Sequence, residues 1–357
     1  MYIKKLSLTN FRNYDFSEIE FSPKMNIIYG ANGQGKTNIA EAVYYFQSGK
    51  SFRNIKDKEI IKFGENFSKI EAEFQKSNGK SLAKIFIKDT KSINLNGLSI
   101  DRLSELVGEY NMVIFTPDFL NIIKSGPSER RQFLDLFISQ IKPTYFKNLI
   151  NYYRVLYQKN TILKKRDKNM LLTLDVWDEK LAKLGVEIAK ERKKAIEKIN
   201  ETINNIDENE IFTEKIKILY DSSVKGDFEN YENFYESLLA SREKDIEKGI
   251  TQIGPHRDDF TIYMNDINIK KFGSQGQMRT CVLKLKLSEF SIIEEKTGDS
   301  PILILDDILS ELDENRRKFF IENIKERQVI ITSTDKENTN VSDCFVFKVE
   351  NGRIFKE

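Results

Sequence analysis

The sequence contains few of the residues that hold small disulfide-linked or zinc-dependent proteins together. Its 357 residues include two cysteines, Cys281 and Cys344, and a single histidine, His256. Neither cysteine has a second thiol at metal-ligand spacing, which argues against a zinc site and against a redox pair. This cysteine usage is typical of the reducing cytoplasm, where we expect the protein to be located.

The sequence also lacks long apolar runs. No stretch approaches the roughly 20 apolar residues that cross a bilayer, and Met1–Leu8 alternates lysine with apolar residues. That start does not have the apolar block of a signal peptide. With 39% hydrophobic and 31% charged residues, the composition predicts a globular protein without a membrane segment.

A charge excess is missing too, because the formal net charge is only +2. Overall charge therefore does not indicate a nucleic-acid partner. Locally the charges are uneven, since residues 141–170 contain one acid, Asp167, and eight bases, namely Lys142, Lys147, Arg154, Lys159, Lys164, Lys165, Arg166 and Lys168. This basic segment, which also contains tyrosines, is either a phosphate-binding surface or a solvated helix face.

The order of patterns along the chain predicts an α/β unit interrupted by helices. Strand patterns occur first, at Ile3–Leu8, Met25–Tyr29, Ser68–Phe74 and Leu82–Lys88. The apolar spacing becomes helical from Ser128, and strand patterns return at Phe260–Ile269, Pro301–Leu305 and Gln328–Thr332. We therefore predict one head formed by residues 1–122 and 249–357, with a mainly helical arm, 123–248, inserted between them.

A phosphate-binding loop is the most specific motif in the sequence. The pattern G-x-x-x-x-G-K-[ST] is matched in full, after an apolar strand and before a helical stretch, by Gly30, Ala31, Asn32, Gly33, Gln34, Gly35, Lys36 and Thr37, with Asn38 directly after. In such a loop, backbone N–H groups and a helix N-terminus surround the phosphates of ATP. Lys36 is then expected to reach the β and γ phosphates, and Thr37 to bind Mg²⁺.

A P-loop needs a carboxylate on a neighbouring strand for its metal ion. The apolar strand Ile302–Leu305 ends in two acids, Asp306 and Asp307. We interpret Asp306 as the second metal ligand and Asp307 as the group that polarises the attacking water. Without a P-loop upstream, such a strand end would equally be a helix cap.

Three short segments follow the order found in ABC ATPases. Gly273–Gln277 resembles the ABC signature Ser-Gly-Gly-Gln, with Gln275 in place of the first glycine. The resemblance implies that Ser274, Gln275, Gly276 and Gln277 contact the γ-phosphate of ATP held by a second copy of the chain. Ser310–Asp313 resembles the D-loop of the dimer interface, and Thr334 stands where the family's switch residue senses the γ-phosphate.

Longer motifs resemble the RecF family of bacterial SMC-like ABC ATPases. They are Phe11–Tyr14, Gly126–Asp135, Gly254–Asp259, and Phe272–Gln277 with Leu305–Asp313. The resemblance implies an ABC-type P-loop ATPase head with an inserted helical arm, slow ATP hydrolysis and a homodimer formed on ATP binding. It also implies binding of duplex or gapped DNA, and cooperation with RecR and RecO in placing RecA on DNA.

Several alternatives stay open from the residues themselves. The same ATPase motifs occur in the ATPase subunit of an ABC membrane transporter, although the chain has no clear Q-loop glutamine. A nuclease-associated SMC-like head and a small-molecule kinase are further alternatives. Arg12 is either a phosphate contact or a solvated side chain, and His256 is better explained by local polar contacts than by catalysis. Because Asp307 replaces the glutamate usual in ABC ATPases, we expect slow turnover.

Overall fold

The computed structural model describes residues 1–53, 55–166, 168–206, 214–324, 326–335 and 344–357. The chain forms two compact units, one made of Met1–Phe119 with Glu289–Glu357 and the other of Leu120–Ser288. The domain boundaries 1–122, 123–248 and 249–357 stay a prediction. None of the helices in the described part of the chain combines the length and the apolar character needed to traverse a bilayer.

The first unit contains two sheets. Its elements are β1 (Tyr2–Phe11), β2 (Tyr14–Glu20), β3 (Met25–Tyr29), α1 (Lys36–Ser48), β4 (Ser68–Lys76), β5 (Gly79–Ile87), β6 (Lys91–Leu95), β7 (Leu98–Ile100) and β8 (Met112–Phe115). After the second unit follow β12 (Ile302–Asp306), α10 (Glu314–Ile324), β13 (Val329–Ser333), β14 (Cys344–Glu350) and β15 (Arg353–Lys356).

One of these sheets has the order β15-β14-β3-β13-β12-β8, with all neighbours parallel except β15 and β14. Its central strands are continuous apolar runs because they are covered on both faces, and Leu303, Ile304 and Ile330 are fully buried. The register places Asp306 opposite Thr332, and Ser333 opposite Tyr29. The carboxyl ends of β3, β13 and β12 therefore meet at one edge.

The other sheet is antiparallel, with the order β2-β1-β4-β5-β6-β7. Its strands β4 and β5 alternate buried residues with half-buried or exposed ones, as strands covered on one face do. Phe74 of β4 stacks on Tyr110 at a centroid distance of 4.0 Å and meets Phe46 of α1 edge to face. These rings join the antiparallel sheet to the helix that follows the P-loop.

The second unit is mainly helical. Its elements are α2 (Asn121–Lys124), α3 (Pro127–Ile141), α4 (Pro143–Lys165), α5 (Lys168–Leu171), α6 (Leu174–Ile206), β9 (Ile216–Asp221), α7 (Tyr231–Lys248), β10 (Asp259–Met264), β11 (Ile267–Asn268), α8 (Ile269–Phe272) and α9 (Gln275–Thr297), the last of which continues into the first unit. The strands β11, β10 and β9 form an antiparallel sheet.

The strand pattern at Phe260–Ile269 corresponds to two short strands, β10 and β11, joined by a turn. Asn265 and Asp266 adopt φ angles of 50° and 61°, so the chain turns back after β10 and pairs with itself as β11. Asparagine and aspartate tolerate this left-handed conformation better than other non-glycine residues. The alternating pattern continued through the turn and concealed it.

Candidate nucleotide-binding site

The P-loop connects β3 to α1 in a conformation that requires glycine at two positions. Gly30 has φ 153°, and a Cβ atom there would lie 2.3 Å from the Val349 carbonyl oxygen. Gly35 has φ 114°, and its Cβ would lie 2.6 Å from Asn13 Nδ2 and 2.8 Å from the Tyr14 hydroxyl. Any side chain would therefore push the loop away from its supports.

The segment Phe11–Tyr14 supports this loop from the side. Asn13 Nδ2 donates to the Gln34 carbonyl at 2.8 Å, and the Tyr14 hydroxyl donates to the Gly35 carbonyl at 3.0 Å. Asn38 Nδ2, on the first turn of α1, donates to Asn13 Oδ1 at 2.9 Å. Two loop carbonyls are thus satisfied by side chains from outside the loop, which holds the loop in this conformation.

Lys36 is a buried cation without a carboxylate partner among the residues that the structure describes. Lys36 is only 6% exposed, and its Nζ donates to the carbonyls of Gly30 at 2.7 Å and Ala31 at 3.0 Å. Burial lowers the pKa of this amine, while the nearby Asp307 and Asp306 carboxylates act in the opposite direction. Two neutral carbonyls do not neutralise the charge, so the position suits an anionic ligand.

Asp306 lies beside the P-loop at the end of β12. It is 5% exposed, accepts a hydrogen bond from Thr332 Oγ1 at 2.7 Å, and is also hydrogen-bonded by the Thr37 side chain. Burial raises the pKa of this carboxyl, and the two hydroxyl groups oppose the shift. A carboxylate beside a threonine hydroxyl is the oxygen donor set that Mg²⁺ takes from a protein when phosphates complete its shell.

Thr37 and Asp306 supply only two oxygen donors for a metal ion. Among the described residues, no group of three or more His, Cys, Asp or Glu side chains could hold a metal ion by itself. Thr37 and Asp306 therefore fit a Mg²⁺ ion that arrives with a phosphorylated ligand. They do not fit an ion held by the protein alone.

Asp307 has an unusual backbone conformation for a non-glycine residue, with φ 55°. Its N–H donates to the Thr332 carbonyl at 3.2 Å and to Thr332 Oγ1 at 3.1 Å, and its carbonyl accepts from Ser310 Oγ at 2.9 Å. These bonds hold a conformation that is otherwise costly. Strain of this kind at the end of a central strand is common at functional sites.

Thr334 follows the end of β13, next to the start of the P-loop. The Gly30 N–H donates to the Ser333 carbonyl at 3.3 Å. Thr334 Oγ1 itself donates to Asp335 at 3.3 Å. The structure thus brings Lys36, Thr37, Asp306, Asp307 and Thr334 to the same edge of the parallel sheet, as the strand order requires.

Arg12 is bound to a carboxylate that the sequence analysis did not identify. Its Nε and Nη2 atoms donate to the two oxygens of Glu41, each at 2.8 Å, and Glu41 is completely buried on α1. Ser51 also donates to Glu41, and Arg53 Nη1 lies 3.6 Å from it. Arg53 further donates to Asn38 at 3.1 Å and counteracts the raised pKa of Asp306.

Glu41 and Arg53 were missed because they lie outside the P-loop pattern. An acid on the buried face of the helix after a P-loop is the signal that would have identified Glu41, because a buried carboxylate needs cationic partners. Arg53 carries no comparable local signal. Its place beside Asn38 becomes visible only when the fold is known.

Ser274 belongs to the second unit, where it caps α9. Its Oγ accepts from the Gln277 N–H at 3.2 Å, and Gln277 Oε1 accepts from the Ser274 N–H at 2.9 Å. This reciprocal pair is a capping box, so Ser274 and Gln277 have a structural role in beginning the helix. Ser274 and Gln275 are exposed, which leaves the positive end of a 23-residue helix open to an anion.

The motifs at the edges of the predicted arm pair with each other within the second unit. Arg130 binds both oxygens of Asp259, at 2.6 and 2.9 Å, and Arg131 Nη1 donates to the Asp258 carbonyl at 2.9 Å. Residues far apart in the sequence are thereby joined where the chain enters and leaves the helices.

His256 takes part in the same junction. Its Nε2 lies 3.0 Å from the Thr251 carbonyl and therefore carries the proton, while Nδ1 accepts from the Tyr152 hydroxyl at 2.8 Å. Burial lowers the pKa of the imidazole to about 4. The structure confirms that His256 makes local polar contacts.

The arrangement can be compared with known proteins. The profile of the RecF/RecN/SMC N-terminal domain matches residues 2–120. The head of an Smc protein, solved with the C-terminal winged-helix domain of ScpA, covers 100% of this chain and 98% of its own, with a TM-score of 0.58 and 18% identity. That likeness shows the fold, an ABC-type P-loop ATPase head of the SMC kind, and confirms the predicted fold class.

Closer relatives define the family. The protein named DNA replication and repair protein RecF from Lachnospira eligens is 42% identical over 100% of both chains, and that from Clostridium novyi is 43% identical over 99% of both. A solved structure described as the recombination mediator RecF with ATP in the RecFOR pathway is 37% identical, with a TM-score of 0.93, and covers 100% of this chain and 97% of its own.

The chain therefore belongs to the RecF family of DNA replication and repair proteins. The resemblance stated from the motifs is confirmed, and so is a role in DNA replication and repair. The alternative of a membrane-transporter ATPase subunit is not supported, because these full-length relatives are named for DNA replication and repair.

Proposed function

We propose that the chain is a weak, Mg²⁺-dependent ATPase of the cytoplasm that dimerises on binding ATP and binds duplex or gapped DNA. In this proposal it works with RecR and RecO to place RecA on DNA. The observation that carries the proposal is the meeting of Lys36, Asp306 and Asp307 at one edge of the parallel sheet. A related RecF described as bound to ATP supports the choice of nucleotide.

Within the first unit each residue has a separate task. Lys36 exchanges the carbonyls of Gly30 and Ala31 for the β and γ phosphate oxygens, which neutralises its buried charge. The N–H groups of the loop between Ala31 and Thr37 surround the phosphates. Thr37 and Asp306 hold Mg²⁺, which supplies charge stabilisation at the transferred phosphoryl group.

Asp307 and Thr334 complete the first unit's contribution. Asp307 polarises the attacking water, and its short side chain makes that contact less direct than a glutamate would, so we expect slow turnover. Thr334 senses the γ-phosphate from the end of β13. A contact of Arg12 with nucleotide stays a prediction, because its guanidinium is occupied by Glu41.

The second half of the site comes from another copy of the chain. Ser274, Gln275, Gly276 and Gln277 present the N-terminus of α9, and an exposed helix N-terminus binds phosphate oxygens. Two such sites form in a two-fold symmetric dimer, since each copy offers both halves. ATP then stabilises the dimer, and hydrolysis releases it, which couples nucleotide state to the grip on DNA.

Mixing two single variants tests this arrangement. Lys36→Met removes the phosphate-binding half, and Ser274→Arg blocks the capping half with a long cation. Neither variant alone should dimerise with ATP in sedimentation velocity. An equimolar mixture should regain dimers with one complete site, and therefore at most about half of the wild-type ATPase activity per dimer.

Ser274→Ala is the matched control for the helix cap, because it removes the hydroxyl without adding bulk. It should weaken ATP-driven dimerisation less than Ser274→Arg. Full ATP-driven dimerisation of Lys36→Met or Ser274→Arg alone would contradict the shared site.

A further inference from the structure

Helix α4 has an unusual charge composition for a surface helix. Its 23 residues include five bases, Lys147, Arg154, Lys159, Lys164 and Lys165, and no acid. The neighbouring α6, by contrast, carries seven acids and seven bases, and Lys183 pairs with Glu179 one turn away. Mixed charge of the α6 kind is what a solvated helix face normally has.

Among the residues that the structure describes, only one of the five bases of α4 has a carboxylate partner. Lys159 is fully buried and pairs with Asp178 at 2.7 Å and Asp245 at 2.8 Å. Lys147, Arg154, Lys164 and Lys165 are exposed, and within the described residues none of them forms an ion pair. Their charges therefore face solvent without compensation.

Three of the exposed bases are aligned along the helix, and the fourth lies with two tyrosines about a quarter of a turn away. Positions 147, 154 and 165 are separated by about two and three turns, so they lie on one line that extends over about 27 Å. Tyr157, 70% exposed, and Tyr153, 42% exposed, share a second line with Lys164, about 100° around the helix. We call this surface the α4 ribbon: Lys147, Tyr153, Arg154, Tyr157, Lys164 and Lys165.

The exposed tyrosines are much less enclosed by the unit than the tyrosine next to them in sequence. Tyr152, the neighbour of Tyr153, is buried and bonds His256. Tyr153 meets the Tyr152 ring edge to face, with centroids 5.9 Å apart. That contact orients the Tyr153 ring while leaving part of it accessible.

Cations interleaved with accessible aromatic rings have the chemistry that binds single-stranded nucleic acid. The cations bind phosphates, and the rings stack on bases that are not already stacked in a duplex. A duplex, or an acidic protein surface, would use the cations and leave the rings without a partner. We propose that the α4 ribbon binds a single-stranded stretch of DNA. This inference rests on the proposed function, in which the protein binds gapped DNA.

Fluorescence anisotropy with the full-length protein tests this assignment. The probes are a labelled oligothymidine and a labelled blunt duplex, each titrated with and without ATP over a salt series. Tyr157→Ala should weaken oligothymidine binding about tenfold, as loss of one stacked base does, and Tyr157→Phe should restore it. Duplex affinity should change less than about twofold, since duplex bases are not available to the ring.

The phosphate contacts are tested with Lys147→Ala/Arg154→Ala. In this variant, the plot of log affinity for oligothymidine against log salt concentration should become less steep, its slope falling in magnitude by about one to two. The reason is that two contacts that release counterions are lost. Phe16→Ala is the control for the tyrosine variant, because it removes a ring that is 65% exposed on β2. Lys194→Ala is the control for the loss of bases, because it removes an exposed base of α6. Both controls should leave oligothymidine binding unchanged.

Three results would overturn the assignment. Unchanged oligothymidine binding in both ribbon variants would remove it, and equal losses for duplex and oligothymidine would show a general phosphate surface. Weaker binding to polyglutamate with unchanged DNA binding would assign the ribbon to an acidic protein. If the wild-type protein binds neither DNA probe with ATP, the proposed function fails and the ribbon assignment fails with it. If the wild-type protein binds DNA and the ribbon variants bind it equally well, only the ribbon assignment fails.

Discussion

Two buried lysines, one in each unit, are held in opposite ways. Lys159 lies between the carboxylates of Asp178 and Asp245, all three fully buried. Lys36 is nearly as buried, yet within the described part of the chain its amine donates only to two backbone carbonyls. Lys159 is neutralised by carboxylates in direct contact, whereas Asp306 and Asp307 act on Lys36 from a distance, without an ion pair to it in the described structure.

The difference separates a structural lysine from a functional one. A buried charge is stable only when it is paired and hydrogen-bonded. Lys159 satisfies this condition within its own unit and links α4, α6 and α7. Lys36 satisfies it only when an anion reaches the P-loop, which is why its surroundings indicate a phosphate site.

Removing the structural lysine should have the largest effect. Lys159→Met leaves Asp245 buried without its cation, while Asp178 keeps only Arg242, 2.7 Å away. Breaking a buried pair in this way costs about 3–5 kcal/mol of the free energy of unfolding. Urea denaturation followed by circular dichroism measures the loss. Lys183→Met, which breaks the exposed pair with Glu179, should change the free energy of unfolding by less than about 1 kcal/mol. Equal effects of the two variants would refute the distinction.

Removing the functional lysine should affect binding instead of stability. Lys36→Met removes charge-assisted hydrogen bonds to phosphate, which lowers affinity for ATP about 100-fold or more. Its melting temperature without nucleotide should equal or exceed that of the wild-type protein, because a buried uncompensated charge is lost. Calorimetric titration with ATP and a thermal melt measure the two effects. A large drop in melting temperature without nucleotide would show that Lys36 is structural as well.

His256 extends the comparison to a buried base that stays neutral. Its pKa in the folded protein is about 4, against about 6.5 in an unfolded chain. As pH falls, the unfolded state therefore binds the proton before the folded state does. The contribution of His256 to the free energy of unfolding is complete above about pH 6.5, and it declines towards pH 4 by at most about 3 kcal/mol. Denaturation of wild-type protein and His256→Gln over this range measures the contribution. The variant should show a shallower decline, and identical slopes would contradict the assignment.

The smallest expected effect concerns the hydroxyl that links β13 to the acidic strand end. Thr332→Val keeps the shape but removes the donor to Asp306 and an acceptor for the Asp307 N–H. We expect a loss of about 1–2 kcal/mol in the free energy of unfolding, and a weaker Mg²⁺ dependence of ATP binding.

Thr261→Val is its matched control, because that hydroxyl bonds the exposed Asp221 at 2.6 Å. It should leave the Mg²⁺ dependence unchanged. If both valine variants behave alike in a Mg²⁺ titration of ATP binding, Thr332 does not position Asp306.

The sequence was sufficient to predict the parts of the site that depend on contiguous residues. Gly30–Thr37 and Ile302–Asp307 each combine a strand with the turn that follows it, and parallel pairing brings such strand ends together. Glu41 and Arg53 could not be predicted in the same way, because their pairing depends on how α1 packs beside the loop after it. The Lys159 cluster was hidden for the same reason, since its three residues lie on three helices.

The basic segment shows a second limit of sequence reasoning. Counting charges over 141–170 treats Lys142, Lys159 and Lys147 alike. In the structure Lys142 pairs with Glu191, Lys159 is buried, and Lys147 is exposed and forms no ion pair with a described residue. Asp167 and the side chain of Lys168 lie outside the described residues. Helix packing therefore decides which of these charges can reach a partner.

A crystal structure of the Asp307→Asn variant, saturated with ATP and Mg²⁺, tests the central claim most directly. The account predicts a two-fold dimer in which each γ-phosphate contacts Lys36 of one copy and Ser274 of the other. A nucleotide-bound single copy, with Ser274 distant from every phosphate, would contradict it.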